Sequence, residues 1–485
     1  MSLKQKTISG LTWSAIDQMA NLGITFIVGI ILARILTPRE FGLIGMITIF
    51  IAVSNTFINS GFTQALIRKK DCSDTDYSTV FYFNLVISVC FFLLLYNTSA
   101  AISNFFDEPE LKLILQVLGV LLIIDALGLI QKTILTKAIN FKLQAKISLI
   151  SSIASGIISI AMAYKGFGVW SLVAQRISRQ LLRTMLLWIW NHWIPLLKFS
   201  RESFKELFGF GSKLLISGLI DTLYQQIYLL VIGKFFSAQE LGHYTRADQF
   251  KNLPSQNLNG IISQVTYPVL SSIQDDVPRL KSNYTKLIRS TMFITFVLMI
   301  GLAAVAEPMV ITLIGEKWRP SIILLQMLCF VGMFYPLQAL NLNMLTVLGR
   351  SDLFLKLEII KKGLAIPTII IGIFWGIKIM IFGMFINTFI AYYLNSYWSG
   401  KMIGYSTKQQ IKDILPSLFI ALLMGSIVYL VGHFASFSSL WILLIQLFLG
   451  AIFILIVGEL IKFKDYIFLK TIVTEKLSLY RRNKK

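Results

Sequence analysis

Arg176, Arg179 and Arg183 are spaced i, i+3, i+7, which places all three on one face of a helix. They lie in the run 167–190, whose other residues are apolar enough to enter a bilayer. A guanidinium at the centre of a membrane helix costs at least about 2.5–3.5 kcal/mol, so such a row faces a cavity, a carboxylate or an interface. Lined up in a cavity, it attracts a polyanion such as a diphosphate, which guanidinium groups grip through paired N–H donors. The competing reading is snorkelling: Trp188, Trp190 and Trp193 mark a boundary, and Arg183 lies within a turn or two of it. Lys213, Arg246, Lys251 and Lys361 also fall inside apolar runs or at their ends and join the arginines as candidate cavity cations. Glu358 and Lys362 are i, i+4 and can neutralise each other, which leaves Lys361 as the free charge.

Polar partners are sparse. Asp17 and Asn21 share a face of the first apolar run, and Asp221 and Gln225 share a face of the seventh. A carboxylate there either holds a coupling proton or Na+ or pairs with the arginines, and pairing is the preferred reading. Asp125, Glu307 and Glu459 stand alone near helix ends and receive no role. Enzyme chemistry finds little support. The cysteines (Cys72, Cys90, Cys329) and histidines (His192, His243, His433) are far apart in sequence, so no metal or redox pair is readable. Carboxylate pairs, a Ser/His/Asp set and a P-loop are equally missing from the sequence, which implies no cofactor and no ATP-driven step.

The elements that must position these residues follow from composition. Of 485 residues, 55% are hydrophobic and 14% charged, and mean hydropathy is +0.71. Soluble domains carry about 25% charged residues, so the chain reads as an all-α integral membrane protein. Stretches long enough to span lie near 11–33, 41–66, 79–101, 112–132, 146–164 and 167–190. A second series follows near 208–233, 246–270, 287–314, 321–347, 353–375 and 377–398, and 412–433 and 438–461 close the chain. That is fourteen transmembrane helices; 246–270 is the most polar of them. Lys4 and Lys6 ahead of the first apolar run read as the start of a retained span.

Charge sets the orientation. With both termini in the cytoplasm, the outer segments hold only Arg34, Arg39, Lys112, Lys165, Lys234, Lys317, Arg319 and Lys378, beside an acidic loop at Asp107, Glu108 and Glu110. Most of the 45 Lys and Arg fall on the inner segments, which accounts for the net charge of +21 without nucleic acid. The tail from Lys462 mixes Tyr466, Ile467, Phe468 and Leu469 with Lys and Arg, and reads either as an amphipathic segment on anionic lipid or as a solvated tail.

Shifting the chain by 200 residues superimposes Arg34 on Lys234, Thr37 on Ser237, Glu40 on Glu240 and Gly42 on Gly242. It also pairs Asn21 with Asp221, Phe50 with Phe250, Asn59 with Asn259 and Gln64 with Gln264. The copies are six spans apart, so the repeat is parallel, a plan used by transporters. The implied organisation is a six-helix lobe over 1–195, a second over 196–405, two further helices over 406–462 and a basic cytoplasmic tail over 463–485.

Several segments carry a family likeness. They are Leu36-Thr37-Pro38-Arg39-Glu40-Phe41-Gly42, Gly61-Phe62-Thr63-Gln64-Ala65-Leu66-Ile67 with Arg68-Lys69-Lys70, Asn140-Phe141-Lys142, and Gly166-Phe167-Gly168-Val169-Trp170. Leu241-Gly242-His243-Tyr244, Pro268-Val269-Leu270, Gly315-Glu316-Lys317-Trp318 and Leu348-Gly349-Arg350 continue the series. In these the chain resembles the polysaccharide transporters of the MOP exporter superfamily, the Wzx-like O-unit flippases of colanic-acid exporter type. The resemblance implies a V-shaped pair of lobes and alternating access. It implies a flippase that moves undecaprenyl-diphosphate-linked oligosaccharide across the bacterial inner membrane for surface polysaccharide synthesis. The expected partners are that lipid-linked oligosaccharide, the lipid bilayer, a coupling H+ or Na+ and a polysaccharide polymerase complex, with the protein itself a monomer. The alternatives are a MATE-like cation-coupled drug antiporter, against which the basic bias counts, and a membrane glycosyltransferase or polymerase acting on the same lipid.

Overall fold

The structure is a computed structural model that describes residues 3–59, 61–435 and 437–482; the side chains of 3–8, 11, 256–265, 267–268, 472–473 and 476–482 are outside the description. Among the described residues every regular element is helical. The first are α1 (Leu3–Ile35), α2 (Pro38–Asn59), α3 (Phe62–Arg68), α4 (Asp74–Phe106), α5 (Glu110–Lys137) and α6 (Phe141–Tyr164). Then come α7 (Trp170–Asn191), α8 (Arg201–Phe235), α9 (Ala238–Ser271), α10 (Val277–Ala304), α11 (Ala306–Ile314) and α12 (Pro320–Gly332). The last are α13 (Tyr335–Val347), α14 (Ser351–Trp375), α15 (Ile377–Ile403), α16 (Thr407–Phe434), α17 (Ser439–Leu460) and α18 (Lys464–Arg482).

Among the described residues, eleven helical stretches are long and apolar enough to cross a membrane. Three more helices of comparable length, α7, α9 and α14, are kept out of that set by their charged and other polar residues, and they carry Arg176 to Arg183, Arg246 with Lys251, and Lys361. Large apolar side chains remain uncovered on the outside, among them Leu460 at 79% and Phe434 at 77% exposure, as a surface solvated by lipid requires.

Helix ends follow from local chemistry. Ser73 accepts from the Asp76 amide while the Asp76 carboxylate accepts from the Ser73 amide at 2.9 Å, a capping box that starts α4. Ser406 and Gln409 do the same for α16. Asn140 caps α6 through the Leu143 amide, which gives the Asn-Phe-Lys segment its structural reason. Gly61, at φ 69, ends the second apolar run as one helix and restarts it as α3. The polar breaks are shorter than hydropathy suggests, because charged residues extend the helices past their apolar windows.

By its packing the chain divides into two units, Met1–Gly242 and His243–Lys485. In the first, α1 lies on α6, α6 on α7 and α7 on α5, while α8 packs on α2, α3 and α4. Ser151, Ser155 and Ser159 are buried on one stripe of α6, and Gly156 faces Val28 of α1, so the helices approach through small residues. Lys69 bridges Asp76 and Glu206, tying the end of α3 to the starts of α4 and α8. Glu206 above all, with Asp76, holds the Lys69 ammonium above its usual pKa. In the second unit Trp318, Tyr284 and Phe296 are fully buried, and α10 packs on α16, α12 and α18.

The 200-residue shift has a structural counterpart in the first unit. Thr37 Oγ1 donates to Glu40 at 2.9 Å, and Ser237 Oγ donates to Glu240 at 3.0 Å. Both second helices of the repeat thus begin with the same hydrogen-bonded turn. They also cross each other there. A Cβ on Gly42 would lie 1.7 Å from the Ala238 carbonyl oxygen, and one on Gly242 would lie 1.8 Å from the Pro38 carbonyl oxygen. Each glycine therefore admits the first turn of the other helix. The side chains of Asn259 and Gln264, two further matches of the repeat, lie outside the described residues.

Candidate functional site

The structure gathers part of the candidate set in the first unit and leaves the rest at separate places in the two units. In the first, Asn21 of α1 is the centre. Its amide nitrogen donates to Asp17 and, at 2.8 Å, to Ser148 Oγ of α6. Its carbonyl accepts from Ser152 Oγ of α6 and, at 3.2 Å, from Arg179 Nη2 of α7. The orientation of the amide is set by chemistry, because a guanidinium only donates and a carboxylate only accepts. Arg179 is thereby aimed at α1, and the charges acting on it are those of Arg183 and Asp17.

Arg183 continues the group toward α5. Asp125 lies in the fields of Arg183 and Lys132, and Lys132 in those of Arg183, Asp125 and Asp17. Thr184 donates to the Ile124 carbonyl at 3.1 Å and sits against Gly128, which brings Arg183 to Asp125. Lys132 is exposed, yet a charge on α1 acts on it although α6 and α7 lie between α1 and α5 in the packing order. Arg176, Arg179 and Arg183 are all half-buried, and among the described residues no ion pair holds Arg176. The arginine stripe therefore shares its space with two carboxylates, Asp17 and Asp125, and a fourth cation, Lys132.

Two of the tryptophans near the stripe are fixed by protein contacts. Trp188 Nε1 donates to the Leu127 carbonyl at 2.9 Å, and Trp193 Nε1 to Asp74 at 3.2 Å. Both indoles pack edge-on against Phe81. Lys213, Asp221 and Gln225 are exposed on α8, which lies against α2 and α3 and away from the row formed by α1, α6, α7 and α5.

In the second unit Arg246 is 5% and Lys251 4% exposed, so both are packed inside rather than displayed. Arg246 Nη1 donates to Gln249 at 2.6 Å, and its guanidinium stacks over Trp318 at 5.7 Å. His243 shares that indole and bonds Ser321 at 3.0 Å. Lys251 Nζ donates to Asp248 at 2.6 Å and lies 5.3 Å from the Tyr335 ring. Asn252 donates to the other Asp248 oxygen at 2.8 Å. Removing that carboxylate strands a buried ammonium, which typically costs about 3–5 kcal/mol. Asp248→Asn is expected to lower the thermal midpoint in detergent by several degrees, and Asp248→Asn with Lys251→Met to recover most of it; an unchanged midpoint in the single variant contradicts the pairing.

Lys361 requires a correction. It forms the close ion pair with Glu358, while Lys362 lies 4.0 Å from the same carboxylate. Both ammonium groups share the acid and the i, i+3 one is the closer, so Lys361 is not the free charge.

A family model described as polysaccharide biosynthesis protein matches residues 31–323. The chain belongs to that family. It is 27% identical over 446 residues to the lipopolysaccharide biosynthesis protein WzxC of Escherichia coli K12, covering 88% of this chain and 89% of the relative. It is also 27% identical to the teichuronic acid biosynthesis protein TuaB of Bacillus subtilis over 73% of each. The succinoglycan biosynthesis transport protein ExoT of Rhizobium meliloti is 26% identical over 65% of this chain and 64% of its own length. Among solved structures, the lipid II flippase MurJ in an inward closed conformation superimposes with a TM-score of 0.74, 17% identity, and 94% and 98% of the two chains covered. An inward-facing MATE multidrug transporter of the MOP superfamily gives a TM-score of 0.60 at 15% identity, covering 82% and 99%. The fold is thus of the MurJ and MATE type, in a membrane protein of polysaccharide biosynthesis.

Sequence spacing found the arginine stripe and the Asp17–Asn21 face. It missed Asp125 and Lys132, whose only signal was an acid and a base seven residues apart in α5; their link to Arg183 is tertiary. Ser148 and Ser152 were visible only as a polar i, i+4 pair in an apolar helix.

Proposed function

We propose that the protein is a flippase that carries an undecaprenyl-diphosphate-linked oligosaccharide from the cytoplasmic to the periplasmic leaflet of the bacterial inner membrane, for surface polysaccharide synthesis. The observation that supports this most is the seat of Arg179 on Asn21, which fixes one guanidinium of the α7 stripe among the polar groups of α1 and α6. Sugars and a diphosphate do not enter hydrocarbon unaided. Fixed guanidinium groups supply counter-charge to the headgroup, and the prenyl chain stays in lipid. Asp17 and Asp125 offset part of that charge when the cargo is absent and offer places for a coupling H+ or Na+.

In this reading α7, α9 and α14 join the eleven apolar stretches to give fourteen spans, in two parallel six-helix lobes (1–195 and 196–405) followed by α16 and α17. Both termini are cytoplasmic and alternating access exposes the site to each side in turn. Cations outnumber carboxylates in the first unit, which disfavours a site for a cationic drug. The test is reconstitution in vesicles that hold a fluorescent lipid-diphosphate oligosaccharide in both leaflets. An impermeant quencher added outside is expected to reach the whole pool when the protein is present. A plateau no deeper than that of protein-free vesicles overturns the proposal.

A further inference from the structure

The N-terminal turns of α10 and α18 line an open cavity of about 510 Å3. Lys281, Thr285, Lys286 and Arg289 line it from one face of α10, and Lys464, Asp465 and Phe468 from the first turn of α18. Asp465 is 5% exposed and organises the wall. It accepts from Arg289 Nε at 3.0 Å and from Ser417 Oγ of α16 at 3.3 Å. Phe463 packs on Phe293 with ring centroids 5.4 Å apart, so α18 is docked on α10 at its base. Lys281 donates to the Gly404 carbonyl, a neutral acceptor that leaves its charge in place. Asp465 offsets one of the four cations, and the cavity keeps a surplus of positive charge beside the Thr285 hydroxyl.

We propose that this cavity binds the phosphate headgroup of an anionic phospholipid. Its position favours that occupant. The lining residues occupy the charged first half of α10, ahead of its apolar stretch 290–304, so a bilayer over that stretch puts them at headgroup depth. Beside the cations, Phe468 is 41% and Ile467 39% exposed, which provides an apolar shoulder for an acyl chain. A basic pocket at the end of membrane helices is a phospholipid site by its chemistry. Asp465 is a positioning residue: it holds Arg289 and fastens α18, while Lys286 and Lys464, both exposed, make the ligand contacts. The inference does not depend on which cargo is transported.

The test uses full-length protein in nanodiscs of phosphatidylcholine with a minor fraction of phosphatidylglycerol, with lipid retention read by native mass spectrometry after mild delipidation. At about one kcal/mol per cation, Lys286→Gln with Lys464→Gln should weaken phosphatidylglycerol retention roughly 30-fold. Lys286→Arg with Lys464→Arg should keep it, and phosphatidylcholine retention should not change in either variant. Equal retention by the Gln variant and the unaltered protein overturns the proposal, as does loss of retention in the Arg variant. Millimolar inorganic phosphate is added in a parallel arm. Displacement of phosphatidylglycerol by inorganic phosphate alone shows a soluble-phosphate site and overturns the lipid assignment; persistence of the bound lipid supports it.

Discussion

Replacing Arg176 and Arg179 together with glutamine is expected to cut vesicle transport by more than about 100-fold while leaving the amount of protein in the membrane unchanged. Each guanidinium that meets a phosphate contributes a charge-assisted hydrogen bond of about 1.5–3 kcal/mol. Losing two removes about 3–6 kcal/mol from a step in which the diphosphate has left water. The fold should survive, because the glutamine introduced at position 179 still carries an amide donor for the Asn21 carbonyl, and Arg176 has no ion pair among the described residues to lose. Asn21→Ala serves as the comparison. It leaves both charges in place but removes the group that aims Arg179, so transport should fall less than in the double variant. Undiminished flipping by the double variant takes the stripe out of the mechanism.

Gly42→Ala and Gly242→Ala are expected to be among the most damaging alanine substitutions in the chain. A methyl group 1.7 or 1.8 Å from a carbonyl oxygen overlaps backbone, which has no rotamer to yield. The helices must part by more than an ångström at their crossing, at a cost of about 3 kcal/mol or more. Gly23→Ala and Gly363→Ala are the controls, since a Cβ there meets nothing within 4 Å. Thermal midpoints in detergent should fall sharply for the first pair and hold or rise for the second. Because both clashes part the same helices, the double variant Gly42→Ala, Gly242→Ala should cost less than the sum of the singles. Full additivity argues against a shared crossing.

Much of the helical layout was legible in composition, because a lipid-facing helix must be apolar over about 20 residues. Interruptions were not. The second run breaks at Gly61 and the tenth between Gly332 and Tyr335, positions where the chain is still apolar and only backbone geometry marks the end. The repeat motif Thr/Ser-x-x-Glu-x-Gly was readable as identity. Its reason, a reciprocal crossing, needed coordinates, since each glycine answers to a carbonyl roughly 200 residues away. Charges followed the same division. The spacing of Asp248 and Lys251 states their pairing, whereas the choice of Glu358 between Lys361 and Lys362 depends on rotamers that spacing leaves open. Asp125 comes into the field of Arg183 because Gly128 lets α5 and α7 close on Thr184.

The seat of α9 bears on how the chain is made. This helix carries Arg246, Asp248 and Lys251, and the aromatic rings that shelter its two cations, Trp318 and Tyr335, lie some seventy to ninety residues downstream. If α9 crosses the bilayer, it leaves the translocation machinery before those rings have been synthesised and is too polar to partition into lipid by itself. Ribosomal delay between α9 and α13 would then prolong the exposure of a half-finished chain to quality-control proteases, and a pulse-labelled nascent chain stalled just after residue 275 should be degraded faster than one stalled after 350.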